Sequence, residues 1–588
     1  MSDAFRDFAY LLGPYRRRAT LVMLFLLGAS LLDLCGIGLV WPYIVVLSQP
    51  ELLDGQPLWE QLKRATGVES NRSASVMLGG LIVLIFYAKG YAHFRMHRYI
   101  LNFGAEHYVH MVERLSRLYQ RAPYGFFIGR ASTMLVRQLF NAQLFANQGL
   151  IPALRICSEL IVAVAVVTLL AFVNPAAVAI LAAILGALLW VYDRRFRGRS
   201  RALGEELARA RTQMVVETRH VAGALKELRV LGTEPQFFER IRETADAVGH
   251  TAAEQVMIRQ LPRYVVDSAM VTFVVLIASI ATLTPGGTET IVATLGVFGA
   301  AAARLIPSIN QLAVNVSDIR FSREPSAALR EEIVTLEAIA AGRSDGDGVS
   351  SPLGPFERLD LRDVTFSYDG SEVEALRGLD LSIEAGESVG IIGASGAGKT
   401  TLIDVLLGLL SPSGGTLEVN GRSVAENLRA WNDLVAYLPQ DVQLIDGSVR
   451  DNVALGAPPS QIDDARVWRA LEQARLRDYV ESLPEGLDTS VGEGGERFSG
   501  GQRARVALAR AFFFERQVFV LDEATASLDH ETEAEIVSEI ERLKGDKTVI
   551  VIAHRLSTVE RCDTLYRLEQ GRIVDRGSYA NVVDSANG

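Results

Sequence analysis

The run GASGAGKT, Gly393 to Thr400, sets glycines, a lysine and a threonine in the pattern Gly-x-x-x-x-Gly-Lys-Thr. Gly393, Gly396 and Gly398 allow successive backbone amides to converge, and such a nest ahead of a helix N-terminus favours an anion. Lys399 is expected to reach the β- and γ-phosphates of a nucleotide, and Thr400 to ligate Mg²⁺. Ser395, Ala397 and Thr401 complete the expected cradle. Downstream, VFVLDE ends an apolar strand in two carboxylates. Asp522 suits a Mg²⁺ contact, and Glu523 suits orienting or deprotonating an attacking water. Between these motifs, FSGGQRARVALARAF opens a second helix with Ser499, Gly500, Gly501 and Gln502, another phosphate-binding nose.

The elements that must position these groups are legible around them. From Phe356 short strands alternate with helices, as in LRDVTFSY, LDLSIEAGESVGIIG and FVLDEA, which marks a soluble α/β domain over 356–588. Ahead of it, AAGRSDGDGVSSPLGP is rich in Gly, Ser, Asp and Pro and reads as a linker over 340–355. Residues 1–339 are of another kind. Apolar runs long enough to cross a bilayer recur near Ala19–Leu47, Ser75–Phe94, Ile151–Val173, Ala176–Tyr192, Val265–Leu283 and Ile291–Leu312. An all-α transmembrane domain of six spans is expected. The first run is too long for a signal-peptide core and is read as a retained span.

Lys and Arg collect before the first span (YRRR) and after the second and fourth (RMHRY, DRRFRGRSRALGEELARAR), which puts both termini in the cytoplasm. The stretches Arg95–Gln148 and Asp193–Gln260 are polar with helical apolar spacing. Membrane helices therefore continue into the cytoplasm, each turning through a short coupling segment. The net charge of -10 argues against a nucleic-acid partner, and Cys35, Cys157 and Cys562 lie too far apart for a metal site. Asn71-Arg72-Ser73 matches a glycosylation acceptor only as a short chance pattern.

With these motifs in this order, the chain resembles an ATP-binding cassette (ABC) transporter of the exporter type, a half-transporter with membrane and nucleotide domains fused. The resemblance implies ATP and Mg²⁺ as cofactors and assigns further residues. Tyr368 in FSY corresponds to the aromatic that stacks on adenine, and Gln440 in YLPQD to the glutamine that senses Mg²⁺ and the γ-phosphate. Asp529 in SLD belongs to the loop that communicates across the dimer, and His554 in VIAHR to the histidine that contacts the γ-phosphate. Two positions depart from the pattern: Phe498 replaces the usual leucine, and Gly494 in VGEGG stands where many exporters carry arginine. In this family ATP lies between the phosphate loop of one copy and the Ser499–Gly501 signature of another. A homodimer with two equivalent sites is expected.

Asp33, Lys89, Asp267 and Arg304 lie inside apolar runs, where each is costly facing lipid. Lys89 and Arg304, with Arg263, are expected to form a basic cavity wall for an anionic headgroup, since a guanidinium grips phosphate oxygens in pairs. The first span and the loop after it, with Leu58 and Trp59 on a short external helix, resemble the subgroup that flips lipid-linked oligosaccharides of the polyprenyl-pyrophosphate kind. The expected protein is a flippase of the bacterial inner membrane handling such a lipid. The alternatives are an exporter of a lipid A-like lipid, a drug or a peptide, and a membrane ATPase that regulates a partner without transport.

Overall fold

In the computed structural model, the described residues are 2–25, 28, 71–130, 133–283, 305–342, 353–368, 370–371, 373–522, 538, 542, 544–553 and 556–587. They form two compact units: Met1–Ala122 with Gly129–Ala341, and Pro123–Ile128 with Gly342–Gly588.

The first unit is helical. It comprises α1 (Ser2–Leu12), α2 (Asn71–Arg121), α4 (Thr133–Leu144) and α5 (Ile151–Val173), while α3 (Tyr124–Phe127), between α2 and α4 in sequence, belongs to the second unit. It continues with α6 (Pro175–Gly223), α7 (Leu225–Leu231), α8 (Glu234–Leu283), α9 (305–321) and α10 (Arg323–Gly342). A π-helical turn, Phe145–Leu150, joins α4 to α5. α1 is strongly amphipathic and buries Leu11 and Leu12 in a core with Met111, Leu115, Phe145, Leu329 and Ile333. At about 25 cal/mol per Å² of apolar surface, each fully buried leucine contributes about 2 kcal/mol.

Three helical stretches among the described residues are long and apolar enough to cross a membrane: Met134–Phe172, Pro175–Gly223 and Glu234–Ser279. They contain the expected third, fourth and fifth spans. Six spans are therefore not what the described residues present. The second expected span lies within α2, a continuous helix that carries Lys89. The first and sixth fall mostly outside the described residues, as do Asp33, Arg304, Leu58 and Trp59. The long cytoplasmic stretches do turn through short helices as expected, α3 in the first and α7 in the second, the latter ended by Gly232 at φ +67°.

The second unit is α/β. A four-stranded antiparallel sheet runs β2–β1–β4–β5, from β1 (Arg358–Ser367), β2 (Glu374–Glu384), β4 (Gly414–Val419) and β5 (Arg422–Ser423). A six-stranded sheet runs β10–β9–β3–β8–β7–β6. It uses β3 (Ser388–Ile392), β6 (Val435–Leu438), β7 (Val518–Asp522), β8 (Thr548–Ile552), β9 (Thr564–Glu569) and β10 (Arg572–Gly577). The five strands from β9 to β6 are mutually parallel, and β10 closes the edge antiparallel.

Parallel strands covered on both faces read as continuous apolar runs, and VFVL and TVIVI do so. Their alternation divides two cores. Val518, Val520, Ile550 and Ile552 face one cluster, whereas Phe519, Leu521, Val549 and Val551 face the other. α11 (Lys399–Leu406) packs in the first cluster; α12 (Val449–Val453) and α13 (Gly500–Phe513) pack in the second. Cys157 and Cys562 are free thiols, and burial pushes the Cys562 thiol up to about 12.

Candidate nucleotide site

β3 is buried at every residue and delivers the chain into the glycine loop. The loop admits no side chain at its tightest points. A Cβ on Gly393 would lie 2.4 Å from the Leu568 carbonyl oxygen, and Gly398 sits at φ +104°, a region that favours glycine. Gly398 is the N-cap of α11, so the amides of the first turn are left open to an anion. Lys399 is buried at 7% exposure, and its Nζ donates to the carbonyls of Gly393 (2.7 Å) and Ala394 (3.1 Å). The ammonium is thereby held against the glycine loop itself. At its other end α11 is fixed by Trp431, fully buried, whose Nε1 donates to the Leu406 carbonyl at 2.9 Å.

Tyr368, on the β1 side, meets this helix: its hydroxyl and the Thr401 Oγ1 are 2.9 Å apart, and its ring stands edge-on to Phe366. The structure thus places Tyr368 against the first turn of the helix that follows the glycine loop. Asp522 ends β7 and accepts a 3.1 Å hydrogen bond from the Tyr437 hydroxyl. Asp404, on α11, is raised from 3.8 to about 6 by burial and then by the charge of Asp522. Two neighbouring carboxylates beside a lysine-bearing glycine loop are the donor set a divalent cation relieves, so the chain's residues fit Mg²⁺ with a nucleotide. Gln440 is exposed in the turn after β6.

At the second helix N-terminus, Ser499 and Gln502 form a reciprocal capping box: Gln502 N donates to Ser499 Oγ at 3.2 Å, and Ser499 N to Gln502 Oε1 at 2.8 Å. Gly500 and Gly501 occupy the first turn. Phe498 is buried against the Tyr479 ring, with centroids 5.7 Å apart, so the departure from leucine is absorbed by an aromatic partner. Gly494 has φ +61°, a backbone state that explains glycine rather than arginine there. Glu523, Asp529 and His554 lie outside the described residues.

The sequence reading missed the supports of this site. Asn452 is fully buried and ties the segment after Gln440 to α12 and α13. Its amide exchanges hydrogen bonds with Ile445 N (2.9 Å) and O (3.0 Å) and accepts from Arg510 (3.0 Å). A lone asparagine in DNVAL carries no signal of this.

In the first unit, Lys89 lies over the ring of Phe86 at 5.1 Å, and Arg263 is 4.0 Å from Asp267 on its own helix. A different polar group, also passed over, gathers around Asp318 of α9, which is 4% exposed and 2.9 Å from Arg259. Arg155 of α5 feels the Asp318 and Arg259 charges and lies 3.4 Å from His97. Arg259 and Asp318 sit just outside the apolar runs, which is why a search for charges inside spans did not register them.

A glycine loop on a parallel strand, a lysine beneath it and a strand-end aspartate define a P-loop nucleotide-binding unit, here fused to a helical unit with membrane-length helices. Residues 376–526 match the ABC transporter family. The chain is 33% identical to an ATP-dependent lipid A-core flippase of Cupriavidus pinatubonensis over 70% of this chain and 68% of that one. It belongs to the ABC transporters of the exporter type, as a relative of the lipid A-core flippases. A lipid A-core flippase of Ralstonia nicotianae is 43% identical, but over 39% of each chain, so this chain spans well under half of that relative. One from Shewanella denitrificans is 27% identical over 99% of this chain and 96% of its own. Among solved structures, a bacterial Atm1-family ABC exporter with ATP bound shares the fold, with a TM-score of 0.71 at 22% identity over 97% of both chains.

Proposed function

We propose that this protein is an ATP-driven exporter of the bacterial inner membrane that works as a homodimer and moves an anionic, lipid A-type lipid outward. The observation that carries this reading is a complete phosphate cradle, Gly393–Thr400 with Asp522, in a chain whose relatives over two thirds of their length are named lipid A-core flippases. The polyprenyl-pyrophosphate reading rests on residues 19–60, most of which lie outside the described set. The relatives favour the lipid A alternative over it.

In this reading Lys399 holds the β- and γ-phosphates, and Tyr368 stacks on the base. Thr400, Gln440 and Asp522 would hold Mg²⁺, which supplies charge neutralisation to the phosphates when bound. Ser499, Gly500 and Gly501 close over the nucleotide held by the other copy, with Gln502 keeping the serine oriented through the capping box. Asp529 signals across that interface, Glu523 orients the attacking water and His554 contacts the γ-phosphate. Arg155 and Arg259 gather with two carboxylates, Asp318 and Glu159, so the cationic wall for an anionic headgroup falls to Lys89, Arg263 and Arg304.

The test is ATPase stimulation in nanodiscs by lipid A, a polyprenyl-pyrophosphate sugar, a neutral phospholipid and a cationic drug. Selective stimulation by lipid A is expected. Selective stimulation by the pyrophosphate lipid would transfer the substrate assignment to that class. Turnover indifferent to every lipid would favour a non-transporting ATPase.

A further inference from the structure

We propose that Glu332 is a positioning residue that clamps both flanks of the coupling segment 123–128 to α10, and so joins the two routes by which the nucleotide unit can act on the membrane helices. Glu332 sits on α10, the helix that runs toward the linker and hence toward β1. Its side chain is 7% exposed. A carboxylate so buried is retained only where hydrogen-bonding or charged partners satisfy it, and here each oxygen has a different one. Oε1 accepts from the Tyr119 hydroxyl at 3.0 Å, and Oε2 lies 3.7 Å from Arg130 Nη1.

Those partners bracket one segment. Tyr119 is in the last turn of α2, and Arg130 follows Ile128 by two residues. The chain between them, Pro123–Ile128, belongs to the nucleotide unit, where a Cβ on Gly125 would lie 3.6 Å from Leu410. One carboxylate thus holds the chain where it enters and where it leaves that unit. α10 is braced further: Arg330 pairs with Asp7 at 3.2 Å, and Glu337 accepts from Arg114 Nε at 3.1 Å and from Tyr10. The chain's covalent route to the nucleotide unit and its packed coupling segment are therefore locked to the same helix.

In the resulting mechanism, a shift of segment 123–128 on nucleotide binding is carried to α10 through Glu332, and the two routes move as one. The inference rests on the ATP-coupled reading above, though not on which lipid is moved.

Amide hydrogen exchange on the full-length protein in nanodiscs tests it. Without nucleotide, E332Q should exchange about five-fold faster than wild type over residues 119–130, the factor that one net hydrogen bond contributes. The charge swap R130E/E332R should restore the wild-type rate. With ATP and vanadate, E332Q should keep protection at Gly393–Thr400 while the response of α10 is lost. Unchanged exchange at 119–130, an α10 response equal to wild type, or parallel loss at the phosphate loop would overturn the proposal. Y119F, which deletes one hydroxyl, serves the same comparison should E332Q fail to fold. The nucleotide-free measurement tests the clamp whether or not the transport reading holds.

Discussion

Burying a lysine is costly unless the ammonium finds acceptors, and Lys399 finds them in the loop it serves. Replacing it with Ala removes the positive charge and leaves two carbonyls to rearrange. K399A is expected to weaken ATP binding about 100-fold or more, measured by titration with a fluorescent nucleotide, in line with two to three kcal/mol for a charged hydrogen-bonded contact. Asp404 gives a pH signature. Its folded value, about 6, lies above its ordinary 3.8, so the folded protein holds a proton that the unfolded chain has released between those limits. The stability this proton confers is present at low pH and is lost as pH rises through 6. D404N should therefore raise the melting temperature in EDTA by about 2–4 °C at pH 7.5 and leave it nearly unchanged at pH 4. At this scale the sequence was informative where chemistry demands a spacing, as in Gly393–Thr400. It was silent on Asp404, whose character comes first from burial and then from the charge of Asp522, far away in the chain.

Elements place these residues through supports that have no motif. α13 begins at a capping box legible in SGGQ, and its other end is held by Arg510, which reaches the Asn452 carbonyl at 2.6 Å. Asn452 itself satisfies two segments at once, so truncation orphans several buried groups. N452A is expected to destabilise the nucleotide unit by about 2–3 kcal/mol, seen as a lower melting temperature of the transition that ATP shifts upward. Strand periodicity was readable because parallel strands bury both faces, and the expected short turns appear as α3 and α7. The second expected span is part of α2, one continuous 51-residue helix whose extension beyond the apolar run follows from the polar helical spacing after Phe94. The Glu332 clamp could not be read at all, since its partners are more than two hundred residues away in sequence.

At the scale of the whole molecule, one chain carries one phosphate loop and one signature, and the exporter account needs two copies to complete a site. E523Q should then slow hydrolysis by about 100-fold or more while ATP binding persists, the loss expected for a general base. Its readout is steady-state phosphate release beside nucleotide affinity. Wild-type turnover in the purified mutant would remove Glu523 from the proposed machinery. The order of a helical half followed by an α/β nucleotide half was legible from the change of pattern along the chain. The substrate was not, because which charged side chains converge, as Arg259 and Asp318 do, is decided by the fold and not by spacing along the chain.

The most direct measurement is lipid A movement in sealed proteoliposomes containing only this protein. ATP added on the nucleotide-unit side should transfer lipid A headgroups to the opposite leaflet, at a rate abolished in E523Q, with neutral phospholipid left behind. Sustained ATP hydrolysis with no change in lipid A sidedness would contradict the account.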